Sequence, residues 1–265
     1  MLSYLLIFLI AIASSTISAM VGLGGGLLLI PFILLIFDLP VKFVAGTMLF
    51  AMVPYTMVTT FKNLRNGFVN FKIGLLMEVG SITGAVLGAN FTHILPETVL
   101  KGFLIAIVFY LMVTLRIPKD SPYNYVARAF LAVNKMPPHF LEKSTEKEIS
   151  YTALVVFGLI AGIFSGMLGI GGGFLKTPVL IVGVGLASRV AVGTALFMIM
   201  ITASFGAMTH GYLGDINFPI AISITLGMVL GGYLGSSLLK KQPDERVKKL
   251  VFYTMFVAAV MTLFR

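Results

Sequence analysis

Apolar segments of membrane-spanning length recur along this chain, and they leave very few folds open to it. They fall roughly at 2–21, 26–37, 43–60, 73–95 and 99–116, and resume at 151–168, 174–186, 189–209, 218–239 and 249–264. A helix needs about 20 apolar residues to cross the hydrocarbon core. Inside that core every backbone polar group must be satisfied within the segment or within a closed barrel. Segments this long and continuous read as helices. Charged residues make up 11% of the chain, against about 25% in soluble domains, and the mean hydropathy is +1.02. The fold class is an all-α polytopic membrane protein with no soluble domain of useful size.

The order is five segments, a polar linker from Pro118 to Ser150, and five segments again. The linker reads as an exposed loop holding four of the eleven prolines, with a short amphipathic helix around Val126–Val133. The second five segments repeat the first. "GLGGGLLLIP" (22–31) matches "GIGGGFLKTP" (169–178) at six of ten positions, at an offset of 147. The same ungapped offset pairs Gly46-Thr47 with Gly193-Thr194, Gly67 with Gly214, and Asn70-Phe71 with Asn217-Phe218. It also pairs Gly80, Gly84 and Gly88 with Gly227, Gly231 and Gly235. One register held over this length marks an internal duplication. The units are therefore a first repeat (1–117), the linker (118–150) and a second repeat (151–265).

Charge gives their expected orientation. The loop 61–72 carries Lys62, Arg65 and Lys72, while its counterpart 208–219 carries only His210 and Asp215. The next pair reverses this: 93–102 has Lys101 alone, and 240–249 has Lys240, Lys241, Arg246, Lys248 and Lys249. Basic residues collect in cytoplasmic loops, so equivalent loops are expected on opposite sides and the repeats are expected to be inverted. The linker is then cytoplasmic, and the N-terminus and Arg265 lie outside the cell membrane. Segment 26–37 is about 18 Å of helix, short for a core of about 30 Å, and it contains Pro31. The first two segments of each repeat are thus expected to form a hairpin broken at the glycines. No basic residue precedes Leu2–Ile12, so this stretch reads as a retained membrane segment rather than a cleaved signal.

The glycine runs are not a dinucleotide fingerprint, which needs a glycine at the sixth position and a strand–helix setting. Here the sixth positions are Leu27 and Phe174, between apolar helices. Non-helical backbone at membrane depth is tolerated where it lines a cavity or is buried in protein, and broken helices in inverted repeats form midplane transport sites. Helices restarting at Leu27 and Phe174 would aim free N–H groups at an anion. The candidate substrate-binding residues are therefore Gly22, Gly24, Gly25 and Gly26 with Gly169, Gly171, Gly172 and Gly173. Ser18 and Ser165, one turn earlier, would add hydroxyls. Close helix packing is the competing explanation of the glycines, and it is the preferred one for Gly80, Gly84, Gly88 and their partners.

Ionisable groups at membrane depth are costly and usually functional. Lys176 stands where the first repeat has Leu29, either as a cationic substrate contact or snorkelling to the interface. Glu78 is a candidate proton-coupling carboxylate, or a helix-terminal residue reaching the headgroups. His210 is a second proton-coupling candidate, with a structural role as its alternative. Thr47 and Thr194 either line the central site or bond back to the preceding turn.

No catalytic constellation and no metal-ligand spacing emerges, and there are no cysteines. No enzyme activity, cofactor or metal is expected. The net charge of +9 suits anionic lipid headgroups, not nucleic acid.

Two copies of G-x-G-G-G-x(4)-P, each followed fifteen residues after its proline by a G-T pair, resemble the sulfite exporter TauE/SafE family of membrane transporters. The resemblance covers nearly the whole chain apart from the linker. It implies transport of sulfite, organosulfonates or other small organic anions. The expected function is a secondary transporter of small anions, working by alternating access between the repeats. A passive anion channel and a structural or assembly subunit are the alternatives. The glycine-lined faces also suit a homodimer.

Overall fold

A computed structural model describes residues 2–37, 39–116, 125–142, 144–247, 249, 250 and 253. The first repeat contains α1 (Leu2–Val21), α2 (Gly26–Phe37), α3 (Val41–Arg65), α4 (Phe71–Ile94) and α5 (Glu97–Arg116). The linker carries α6 (Tyr125–Val133) and an antiparallel hairpin of β1 (His139–Glu142) and β2 (Lys147–Ser150). Then follow α7 (Tyr151–Leu168), α8 (Gly173–Pro178, widening into a π-turn over Val179–Val184), α9 (Ser188–Tyr212) and α10 (Phe218–Lys241). Among the described residues six helices are long and apolar enough to cross a membrane: α1, α3, α4, α7, α9 and α10. The expected segment 249–264, Arg265, residue 117 and linker residues 118–124 lie almost wholly outside the described residues.

Helix ends follow from particular residues. Asn70 and Asn217, partners at the offset of 147, cap α4 and α10 by accepting the N–H groups of Ile73 (3.1 Å) and Ile220 (3.3 Å). Ser150 caps α7 through the N–H of Ala153. Each cap satisfies an N–H that would otherwise have no helical partner.

The helices pack in exchanged pairs: α4 lies along α7, and their counterparts α10 and α1 lie along each other. Glycine allows the approach. A Cβ at Gly80, Gly84 or Gly88 would sit 2.0–2.3 Å from the carbonyl oxygens of Val155, Leu159 and Ile163. At Gly227, Gly231 and Gly235 it would meet the backbone of Phe8, Ile12 and Thr16, each 147 residues before the α7 counterpart. These stripes, which the sequence also offered as a dimer face, are thus used within the chain. The contacts advance together along both helices, so each pair runs parallel.

The central pair α3 and α9 runs the other way. Thr47, near the start of α3, accepts the N–H of Asn217 beyond the end of α9, at 3.0 Å. Thr194, near the start of α9, accepts the N–H of Asn70 beyond the end of α3, at 2.9 Å. Equivalent helices are therefore antiparallel neighbours.

Behind α1, the helix breaks and returns: Tyr4 near the start of α1 stacks on Phe37 at the end of α2, ring centroids 5.7 Å apart. The linker reaches the second half of the chain through Phe130 of α6, which contacts both Phe157 of α7 (5.5 Å) and the position of Gly183 beyond α8.

The linker corrects one expectation, for it is not simply an exposed loop. Phe130, Ile149 and Glu142 are buried. The Asn70 side chain donates to Glu142 at 3.0 Å, and Lys72 lies 3.8 Å from the centroid of the Phe140 ring. The hairpin thus docks on the start of α4.

Candidate functional site

The two glycine runs meet. Gly22, Gly24, Gly25, Gly169, Gly171 and Gly172 all have φ between 73° and 91°, the left-handed region that side chains disfavour. Gly26 and Gly173 are not left-handed, and they need glycine for another reason. A Cβ at Gly26 would sit 2.5 Å from the carbonyl oxygen of Gly169, and one at Gly173 would sit 2.2 Å from that of Gly22. The breaks are therefore in backbone contact, with Met52 and Ile199, themselves offset partners, packed beside Gly24 and Gly171. The helix break and the close packing weighed against each other in the sequence occur together. Thr177 adds a bond across the junction, donating to the Gly22 carbonyl at 2.9 Å.

One turn into α8 lies a closed polar ring. The Lys176 ammonium donates to Oε1 of Glu78 on α4 and, at 2.6 Å, to the Thr202 hydroxyl on α9. That hydroxyl donates in turn to Oε2 of Glu78 at 2.6 Å. Lys176 is 0% and Glu78 2% exposed. The structure thus overturns both interfacial alternatives: Lys176 does not snorkel, and Glu78 does not reach the headgroups. Glu78 is seven residues, about 10 Å, into its helix, and the two charges satisfy each other inside the protein. A buried pair of this kind loses hydration on both ions and holds only with well-placed partners, which Thr202 supplies.

Ser165 is next to this ring. A Cβ at Gly172 would stand 3.5 Å from both the Ser165 Cβ and the Lys176 Cε, and the Ser165 hydroxyl is buried without a partner. Ser18, its counterpart, is likewise buried and unpartnered. Thr47 and Thr194 are placed differently. Their hydroxyls brace the loops before α10 and α4 as acceptors, a role the sequence reading missed.

His210 is not a lone interfacial residue. Its Nε2 donates to the carbonyl of Gly166 on α7 at 2.8 Å, and its Nδ1 lies 2.9 Å from Oδ2 of Asp215. The same Oδ2 is 2.8 Å from Nε2 of His93 at the end of α4. The cluster ties α9 to both α7 and α4.

The two repeats differ sharply at these positions. Where the second half of the site uses Lys176, Thr202 and Glu78, the offset partners are Leu29, Tyr55 and Thr225. The hydroxyls of Tyr55 and Thr225 are buried without partners, as is the side-chain amide of Asn63, the counterpart of His210. Thr202, Tyr55 and Asn63 were not singled out from sequence. A signal for the ion pair did exist. Glu78 and Lys176 are opposite charges well inside apolar segments, and intramembrane charges usually pair. Among the described residues no cluster suited to a metal ion occurs.

Known proteins of similar sequence are described as membrane transporters. The chain is 26% identical to the "Probable membrane transporter protein YdhB" of Bacillus subtilis, covering 98% of this chain and 100% of that protein. It is 27% identical to the "Probable membrane transporter protein MJ0441" of Methanocaldococcus jannaschii, over 82% of this chain and 79% of that one. A shorter stretch of 61 residues, 23% of this chain and 13% of the relative, is 39% identical to "Sulfite exporter TauE/SafE family protein 1" of Arabidopsis thaliana. No solved structure matches. Residues 6–262 match the family described as sulfite exporter TauE/SafE, and the chain belongs to that family of membrane transporters.

Proposed function

We propose that this protein is a secondary transporter of small anions, with sulfite and organosulfonates as its substrate class. The halves are inverted repeats that alternate access to a central site, and the glycine breaks are the parts that separate as the site opens. The observation that carries this reading is the buried Lys176, with the unpartnered Ser165 hydroxyl beside it, where the two glycine runs meet. A desolvated cation with spare hydroxyl donors is what a small oxyanion requires. The antiparallel course of α3 and α9 and the exchanged packing of α1, α4, α7 and α10 support inversion. The backbone approach of Gly26 to Gly169 and of Gly173 to Gly22 supports a junction where the two breaks meet directly. The sequence has no nucleotide-binding loop, so coupling is assigned to protons or the membrane potential. The cell membrane is the assigned location, with the basic loop 61–72, the linker and 240–249 on the cytoplasmic side.

The test is uptake of labelled sulfite and methanesulfonate into proteoliposomes. Saturable uptake that Lys176→Met abolishes is expected. Flux that does not saturate would replace the carrier with an anion channel. No flux of either anion would remove the substrate assignment.

A further inference from the structure

We propose that Glu78 occupies the place of the transported anion in this conformation, and that an anion and a proton together displace it. The inference rests on the anion-transporter reading above and adds the coupling mechanism.

The Glu78 carboxylate presents two oxygens, one to Lys176 and one to Thr202. A sulfite or sulfonate headgroup presents the same kind of face, with a third oxygen. The structure offers one candidate donor for that third oxygen: the Ser165 hydroxyl, buried and unpartnered, whose Cβ and the Lys176 Cε both lie 3.5 Å from where a Cβ on Gly172 would stand. The carboxylate leaves it unused, whereas a three-oxygen anion would not. Glu78 thus behaves as an internal occupant that fits the lysine and the threonine but not the whole site.

Charge balance supplies the proton. Lys176 and Glu78 together are neutral, and both are enclosed. A monovalent anion entering alone would leave one net negative charge in a site closed to bulk solvent, which is strongly unfavourable. If a proton from the aqueous side is taken up by the Glu78 carboxylate, the site holds a cation, an anion and a neutral acid. One O–H bond forms on the carboxylate as one breaks in hydronium, which leaves as water, and the net charge returns to zero. Among the described residues of the helices packed around the pair, no second carboxylate is present and the charged groups lie toward the helix ends. Of the helices packed around the pair, α7 carries only Tyr151, at its start, and α9 carries Arg189, His210 and Tyr212 toward its ends. On α3, Lys42, Lys62 and Arg65 lie at the ends and Tyr55 lies mid-helix, while α4 itself adds only Lys72 and His93 at its ends. The other repeat has Leu29 and Thr225 at the equivalent positions, so there is one such site and one proton per anion charge.

The experiment uses the full chain in proteoliposomes containing a luminal pH dye, with labelled methanesulfonate as probe, because its charge does not vary with pH. The expected result for the wild type is one proton entering per anion, at a rate insensitive to an imposed potential. Glu78→Gln is expected to abolish proton entry and make the remaining anion flux respond to potential. Glu78→Asp is expected to keep the one-to-one ratio. Anion uptake by the wild type without proton entry overturns the proposal, and so does a Glu78→Gln protein that still moves one proton per anion. If Glu78→Gln does not fold, the wild-type ratio decides by itself. Absence of transport of both methanesulfonate and sulfite would instead strike the transporter reading on which the proposal stands.

Discussion

Removing either member of the Lys176–Glu78 pair should damage the protein more than removing both. The first repeat provides the replacements, since Leu29 and Thr225 occupy the equivalent positions in the same fold. In Lys176→Leu the Glu78 carboxylate, 2% exposed, loses its cation and keeps only the neutral hydroxyls of Thr202 and Ser81. In Glu78→Thr the ammonium is stranded in the same way. Leaving one buried charge unpaired costs about 3–5 kcal/mol, whereas replacing a whole buried pair with well-packed neutral residues is often neutral or stabilising. The double variant should therefore match the wild type, with a coupling energy between the positions of several kcal/mol. Thermal unfolding in detergent, followed by circular dichroism at fixed pH, measures this. At about 2–4 °C per kcal/mol for a chain of this order, each single variant should melt roughly 6–20 °C lower and the double variant close to the wild type. Single variants within about 1 kcal/mol of the wild type would show that the charges do not depend on one another. A double variant as unstable as the sum of the singles would do the same.

Other outcomes follow from the same contacts. Gly169→Ala combines a left-handed φ with a Cβ 2.5 Å from the Ala45 Cα, and should prevent accumulation of folded protein, whereas Gly67→Ala, with φ 71° and nothing within 4 Å, should cost only about 1 kcal/mol; yield and melting temperature separate them. His210→Phe removes the bonds to Gly166 and Asp215 and should destabilise by at least 1–3 kcal/mol through the buried acceptors left behind, read in the same melts. Single cysteines at Asn66 and Leu213, on a background without cysteine, should label from opposite sides of the membrane; labelling from one side would overturn the inverted topology.

Much of this fold is legible in the sequence because its physics is local. The apolar segments fix the helices, and the described ones end within a few residues of where the pattern stops: 73–95 was expected for α4, which spans Phe71–Ile94. The glycine runs declare a break, since six of their eight residues adopt a conformation that only glycine takes easily. What the pattern cannot give is the partner of a side chain across the fold. Glu78 and Lys176 are 98 residues apart, and each read alone left an interfacial role open. Thr47 and Thr194 show the same limit, because their bonds run to loops in the opposite repeat. The linker misled for a different reason. Its composition is that of a loop, and long-range contacts keep it against the helices: the rings of Phe130 and Phe140 on α7, Tyr151 and Lys72, and the bond from Asn70 to Glu142.

The central claim is that a small oxyanion binds at Lys176 in place of Glu78. A crystal structure with a bromine-labelled alkanesulfonate tests it most directly, because the bromine can be located by its anomalous scattering. The account predicts the sulfonate oxygens within hydrogen-bond distance of Lys176 Nζ, the Thr202 hydroxyl and Ser165, with the Glu78 carboxylate turned away. A sulfonate bound elsewhere, with the Lys176–Glu78–Thr202 ring intact, would contradict it.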